Sequence, residues 1–325
     1  MATETPLPSS MTVTADRRSR PVQERAGTGT PAPRRRRPPN DLRLALVFIA
    51  PATIGFALFL LWPTVRGIYL SFTSYNLLTP PVFTGLQNYE RLVQDSIFWH
   101  SMLVTVEYVL LNIGFQTVLA LFIAVMMHRL TKSTFVRGIV LAPYLVSNVV
   151  AALIWLWILD TQLGIGNEVL SALGIGRIPF LQSDVWGIPT IAFINVWRNV
   201  GYTALLIFAG LQALPEQVYE AGRIDGASEW KMFWGITVPL LRPILSLVLI
   251  ITIIGSFQVF DTVAVTTQGG PANATNVVQN YIYNLAFGRF QFGYASAVSV
   301  ALLIVLSVIT FVQYRLSRSG ESDLD

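Results

Sequence analysis

A chain of 325 residues that is 53% hydrophobic and only 12% charged lies far from the composition of a water-soluble domain, in which roughly a quarter of the residues are charged. Its apolar residues fall in blocks of about 20, the length needed to cross a hydrocarbon layer of roughly 30 Å. No cysteine and only two histidines, His100 and His128, exclude a disulfide framework, a thiolate metal site and a His-rich metal centre.

Residues 1–43 carry nine of the 22 Lys and Arg, including the run Arg34, Arg35, Arg36, Arg37, among Pro, Thr and Ser. Such a segment cannot bury enough apolar surface to order itself. It reads as a disordered basic tail that stays in the cytoplasm and touches anionic lipid, in preference to a nucleic-acid-binding arm. A cleaved signal peptide fits poorly, because the basic part is long and no small-residue cleavage site follows the first apolar run.

Six spans follow in an all-α integral membrane domain, 44–315. The first is Leu44 to Trp62, with Pro63 and Arg66 beyond it. The second is Tyr108 to Met127, extendable back to Phe98. The third, Ile139 to Leu159, contains Pro143. The fourth, Ile191 to Leu214, is the least apolar because of Asn195, Arg198 and Asn199. The fifth is Ile244 to Phe260 and the sixth Tyr294 to Val312, before a second cytoplasmic tail, 316–325.

Loop charge orients the bundle. With both ends in the cytoplasm, all but five of the 22 Lys and Arg lie inside; Arg66, Arg91, Arg177, Arg198 and Arg289 fall at or near the outer face. Trp62, Trp99, Trp155, Trp157 and Trp186 are expected at outer boundaries, where amphipathic rings settle. Turn signals mark the outer loops: Gly164, Gly166 and Asn167, then Gly269, Gly270 and Pro271.

The loop 215–242 between spans four and five contains YEAGRIDGASEWKMFWGITVP, two Glu, one Asp, one Arg and one Lys between apolar helices. Pro215 suits the start of a short helix. Glu216 and Glu220 suit its early turns, where negative charge meets the helix dipole. Gly226 can adopt the left-handed conformation that closes it, and a second short helix fits Ala227 to Trp234. On periodicity alone, amphipathic helices lying on the bilayer surface explain this loop equally well.

The spacing adds more. Glu220-Ala221-Gly222, three residues, Gly226, nine residues, Ile236, one residue, Val238-Pro239 resembles the signature of permease subunits of binding-protein-dependent ABC importers: Glu-Ala-Ala, three residues, Gly, nine residues, Ile, one residue, Leu-Pro. Gly222 replaces the second Ala and Val238 the Leu. Blocks such as FTGLQNYERLVQDSIFWHSMLVTVEY, VWRNVGYTALLIFAGLQALP and FDTVAVTTQGGPANATNVVQNYIYNLAFGRFQFGYASAV extend the resemblance over roughly residues 45–315, toward the maltose-type group that carries sugars, polyols or glycerol phosphates. A further block, FVRGIVLAPYLVSNVVAALIW, fits that pattern except for Val136 between Phe135 and Arg137.

This resemblance implies a type I ABC importer permease fold in a bacterial inner membrane, with three partners. A cytoplasmic ABC ATPase dimer would grip the loop through Glu220, Ala221, Gly222, Asp225, Gly226, Ala227 and Pro239. A second permease subunit would complete the path, and an extracytoplasmic solute-binding protein would dock near Gly269, Gly270 and Pro271. Glu220 would pair with a base on the ATPase, and the small residues would allow close approach. No phosphate-cradling motif occurs, so nucleotide chemistry is expected in another chain. No catalytic residue, metal or cofactor is expected.

Polar residues within the spans allow two readings. Asn148, Asn195, Asn199 and Gln258, with Asn112, Gln116, Ser147 and Ser256, can line a sugar path or bond across helices. Arg198, about 16 residues or roughly 24 Å from the inner end of its span, is expected to snorkel to the outer headgroups in preference to contacting substrate; the same choice is expected of Glu107. Asp160 and Asp261 are expected beside the outer docking loops. An ion-coupled secondary transporter is the alternative, disfavoured by the lack of a clear mid-span carboxylate.

Overall fold

The computed structural model describes residues 41–130 and 133–318, with side chains from 45 to 130 and from 133 to 316. The basic tail expected over 1–43 lies outside the described residues up to position 40, and most of the expected C-terminal tail lies outside them too. The chain divides into two compact units, Met1–Gly55 and Phe56–Asp325.

The described part of the first unit is helical, within α1 (Asp41–Phe56), and its side chains from Leu46 to Ile49 are exposed. A π-helical turn, Ala57–Leu61, and α2 (Trp62–Leu70) follow. The helix therefore continues past Pro63, where the first span was expected to stop. Proline removes one backbone donor but is tolerated in the first turn of a helix, and Pro63 stands in the first turn of α2; in the π turn before it Trp62 N–H reaches back to Ala57 O, and the Thr64 hydroxyl donates to Leu60 O.

In the second unit a short hairpin, β1 (Thr73–Ser74) with β2 (Val82–Phe83), pairs antiparallel with Thr73 opposite Phe83. Then come α3 (Gln87–Gln94) and the long α4 (Ser96–Leu130). Asp95 caps α4: its Oδ1 accepts from Ile97 N–H at 2.9 Å and Phe98 N–H at 3.2 Å.

The third expected span is broken. α5 (Thr134–Leu145) and α6 (Asn148–Ile158) meet at a 90° bend. Pro143 lacks an N–H inside the last turn of α5, and Val146 and Ser147 are extended. α7 (Ile165–Ala172) lies in the following loop, and α8 (Gly187–Gln212) is the fourth span. The charged loop forms α9 (Glu216–Ile224), α10 (Glu229–Met232), a π turn Phe233–Thr237 and α11 (Val238–Leu240). α12 (Arg242–Phe257) and α13 (Asp261–Thr266) make the fifth span, α14 (Val278–Tyr283) leads to a π turn Asn284–Gly288, and α15 (Phe292–Arg318) is the sixth. Among the described residues, five helices are long and apolar enough to cross a membrane, six if α5 and α6 count as one span.

Two apolar cores hold this unit together. One gathers Tyr108, Ile188, Ile191, Phe257, Val263 and Val298; the other gathers Ala120, Ala124, Met127, Ala204, Ile207 and Val248. Between them α4, α8 and α12 present polar residues. Asn112 Nδ2 donates to Ser256 Oγ at 2.9 Å and to Gln116 Oε1 at 3.2 Å, and Gln116 Nε2 donates to Thr203 Oγ1 at 2.8 Å. Small residues bring the backbones close, as membrane helix packing requires. At Gly201 an added Cβ would lie 1.9 Å from Val140 O.

Candidate functional site

The polar layer opens into a cavity of about 270 Å³ walled by α4, α5, α6, α8, α12 and α13. Asn148, Asn195, Asn199 and Gln258 all line it, as do Asn112 and Gln116. Asn112, Gln116 and Ser256 bond across helices while facing the same space. Asn195 Nδ2 donates to Ile191 O and to Thr262 Oγ1, and Asn199 Nδ2 donates to Asn195 O. Ser147 stands apart at the bend as the N-cap of α6 and does not line the cavity.

Arg198 is not where snorkelling would put it. It is half-buried in the cavity wall, where Nε donates to Val146 O at 2.7 Å, Nη2 to Tyr144 O at 3.3 Å and Nη1 to Asn199 Oδ1 at 3.1 Å. The reason is the bend. Breaking a span leaves carbonyls without partners in a medium that offers no water, and a cation at the C-terminal end of α5 also meets the negative end of its dipole. Asp261 likewise lines the cavity and accepts from Asn148 Nδ2 at 2.9 Å, which corrects the expectation of a carboxylate beside an outer docking loop. Only Pro143 hinted at either arrangement. Glu107 is exposed on α4.

Asp160 behaves as expected for a loop residue. Its Oδ1 accepts from Gln162 and Leu163 N–H at 2.8 Å each, and these bonds hold its carboxyl below the ordinary value of 3.8. Asn167, one of the turn residues, is buried and stitches the loop by donating to Asp160 O and Ile178 O and accepting from Ile178 N–H. Trp155, expected at the boundary, instead packs edge-on against Phe193 and Trp197. Trp62, Trp99, Trp157 and Trp186 are exposed.

At the start of α4, Asp95 Oδ2 accepts from the hydroxyls of Tyr281 and Tyr294, both at 2.5 Å. Burial pushes the Asp95 carboxyl up, but those hydroxyls and the N–H groups of Phe98 and Ile97 together hold it below 3.8. Burial and the neighbouring carboxylate push the Tyr281 phenol well above its usual range.

The loop between α13 and α14 turns through Gly269 at φ +90°. Gly269 is buried against Asn276 and Asn280, so it shapes the turn while Pro271, Ala272 and Asn273 carry the surface. Gly270 is half-buried, and its carbonyl accepts from Thr275 Oγ1 at 2.8 Å.

The charged segment folds largely as its residues suggest. Pro215 caps α9, and the closing turn has two bonds: Gly226 N–H to Arg223 O at 3.1 Å and Ala227 N–H to Gly222 O at 2.9 Å. Gly226 has φ +70° and open space around its α-carbon, so conformation alone requires glycine there. Gly222 is buried against Met232 and Ile236, which explains glycine at that position. Ser228 caps α10 by accepting from Lys231 N–H. Glu220, Ala221, Ile224 and Asp225 are exposed; Ala227 and Pro239 are half-buried. Tyr219 OH lies 3.1 Å from Thr237 Oγ1, and Arg129 pairs with Glu229 at 2.7 Å, so the segment is tied to itself and to the end of α4. A second cavity, about 580 Å³, lies behind it and is lined by His128, Gln212, Glu216 and Arg223 among others.

Residues 116–320 match the family model described as binding-protein-dependent transport system inner membrane component. The trehalose/maltose transport system permease protein MalF of Thermococcus litoralis is 31% identical over 281 residues, covering 86% of this chain and 95% of that protein. The lactose transport system permease protein LacF of Rhizobium radiobacter is 34% identical, covering 84% and 93%. In fold, a crystal structure of a bacterial ABC transporter that imports the acidic polysaccharide alginate matches with a TM-score of 0.76 and 24% identity, over 85% of this chain and 96% of that one.

Proposed function

Because this chain belongs to the binding-protein-dependent transport system inner membrane component family, in its sugar-type ABC permease group, we propose that it forms one half of an ATP-driven import path for a sugar, polyol or glycerol phosphate. It has the type I importer permease fold. Relatives named for trehalose/maltose, lactose and sulfoquinovosyl glycerol support a carbohydrate substrate, and the cavity suits one: amides and hydroxyls that hydrogen-bond to sugar hydroxyls, beside the stacked rings of Tyr144 and Tyr202.

The observation that carries the reading is α9. It is a short helix, closed at its C-terminus by the turn at Gly226, whose Glu220, Ala221, Ile224 and Asp225 face outward, joined to α8 by three residues and to α12 through α10 and α11. Such a helix cannot absorb motion by bending. An ATPase dimer gripping it in the cytoplasm would rotate α8 and α12 and open the cavity alternately to each side. In this reading both termini are cytoplasmic, a second, related permease completes the path, and a loaded solute-binding protein docks outside near Pro271, in the turn set by Gly269 and Gly270. The membrane is the inner membrane of a bacterial cell.

Reconstitution with the partner permease, ATPase and binding protein tests it. Sugar-stimulated ATP hydrolysis and ATP-dependent sugar uptake are expected. Uptake by this chain alone, driven by an ion gradient and indifferent to ATP, would overturn it in favour of a secondary transporter.

A further inference from the structure

The two carbonyls beside the break in the third span both accept from one arginine on α8. We infer that Arg198 is a positioning residue that fastens α5 to α8, so that movement of α8 reaches the bend at Val146–Ser147 and changes the cavity there. This rests on the transporter reading but assigns a role to a residue outside the charged loop.

Three contacts on consecutive turns of α8 fix α5. The Arg198 guanidinium forks onto Val146 O and Tyr144 O, the two carbonyls next to the break. Gly201 lets Val140 O approach so closely that any Cβ would collide with it. Tyr202 stacks on Tyr144 with ring centroids 4.5 Å apart and planes 11° apart. No proline or π turn interrupts α8 between Arg198 and Gln212, so a rotation entering at the α9 end arrives at Arg198 undamped.

α6 is held differently. Its first residue, Asn148, donates to Asp261 on α13, and Trp155 meets Phe193 and Trp197 through ring edges. Ring-edge contacts can slide, whereas forked charge-assisted bonds hold one geometry. When α8 turns, α5 follows and the bend angle changes. The guanidinium is the piece that makes this happen, since it joins both carbonyls at the break to α8.

The absence of cysteine makes the test direct. Spin labels at I139C and I154C, both exposed positions on either side of the bend, report its angle in the assembled transporter and in the isolated chain. The wild-type background is expected to give one narrow distance distribution that shifts to another when ATP and binding protein are added. R198Q is expected to broaden the distribution, abolish the shift and lower sugar moved per ATP by at least about ten-fold, with the uptake KM changed by less than about two-fold. R198K, which keeps the charge but cannot fork, is expected to broaden it less and lower the yield about three-fold, so either variant reads the clamp if the other fails to assemble.

Wild-type distances and wild-type sugar per ATP in R198Q or R198K would overturn the inference. So would a KM raised about ten-fold with the distances unchanged, because Arg198 would then be a substrate contact. Failure of the wild-type assembly to take up sugar on ATP would count against the transporter reading instead, while the distances in the isolated chain still decide the clamp.

Discussion

The backbone N–H of Ala227 donates to the carbonyl of Gly222 across 2.9 Å, closing α9 in the six-to-one turn that a left-handed Gly226 permits. That bond makes the exposed acidic helix a stiff element. A β-branched residue at φ +70° costs at least about 1–2 kcal/mol, so Gly226→Val is expected to open the turn. The assembled transporter should keep its ATPase subunits but lose most sugar-stimulated hydrolysis. An ATPase assay of the purified complex checks this.

Gly222 is a different kind of glycine. Its added Cβ would meet Ile236 at 3.1 Å and Met232 at 3.3 Å, contacts that flexible side chains can relieve. Gly222→Ala is therefore expected to be tolerated, whereas Gly222→Leu should separate α9 from the π turn behind it, with an overpacking cost of about 1–3 kcal/mol. Thermal unfolding of the two variants distinguishes these outcomes.

The Asn112–Ser256 and Gln116–Thr203 bonds join α4 to α12 and α8 across the polar layer. Interhelical hydrogen bonds in membranes contribute about 0.6 kcal/mol on average and up to about 1.7. Asn112→Leu is expected to lower stability within that range and to reduce uptake as well, since the residue also faces the cavity. Gln258→Ala, at an exposed cavity position, should leave stability unchanged and slow uptake by roughly two- to ten-fold, the effect of one hydrogen bond. Melting curves and initial uptake rates separate the two effects.

Asp95 gives a pH prediction with a definite sign. Its folded carboxyl titrates below the ordinary 3.8, so ionised Asp95 stabilises the fold at every pH above that value. The contribution fades as pH falls below 3.8 through the lower folded value. Asp95→Asn is expected to cost at most about 1.5–3 kcal/mol at neutral pH, the range for hydrogen bonds to a charged group, lowered by solvent screening at this partly exposed carboxylate. The gap between wild type and variant should narrow below about pH 3.8. Thermal melts across the acid range measure both.

Much of this was legible along the chain. Apolar runs of about 20 residues located the spans, because length and hydropathy act locally, and Gly226 announced its turn because a left-handed residue leaves a local mark. The bend was not legible in the same way. Pro143 shows that one bond is missing, but the donor that repairs the break sits 52 residues away from Val146 and the carboxylate that holds α6 sits 113 residues from Asn148. Partners so distant leave no periodicity. The extension of the first helix past Pro63 was hidden because a proline reads equally as the end of one helix and as part of the first turn of the next, where Pro63 stands in α2.

The central claim is that α9 is the joint to a separate ATPase. Charge reversal by Glu220→Lys is expected to abolish uptake while leaving membrane insertion intact, which an uptake assay paired with a membrane-fraction blot reads. Disulfide trapping is more direct. In this cysteine-free chain, A221C should cross-link to a cysteine in the surface groove of the ATPase subunit, stop ATP-driven uptake on oxidation and restore it on reduction. Scanning cysteines along 216–226 that never capture the ATPase, or that react only with a reagent confined to the outer side of the membrane, would contradict the account.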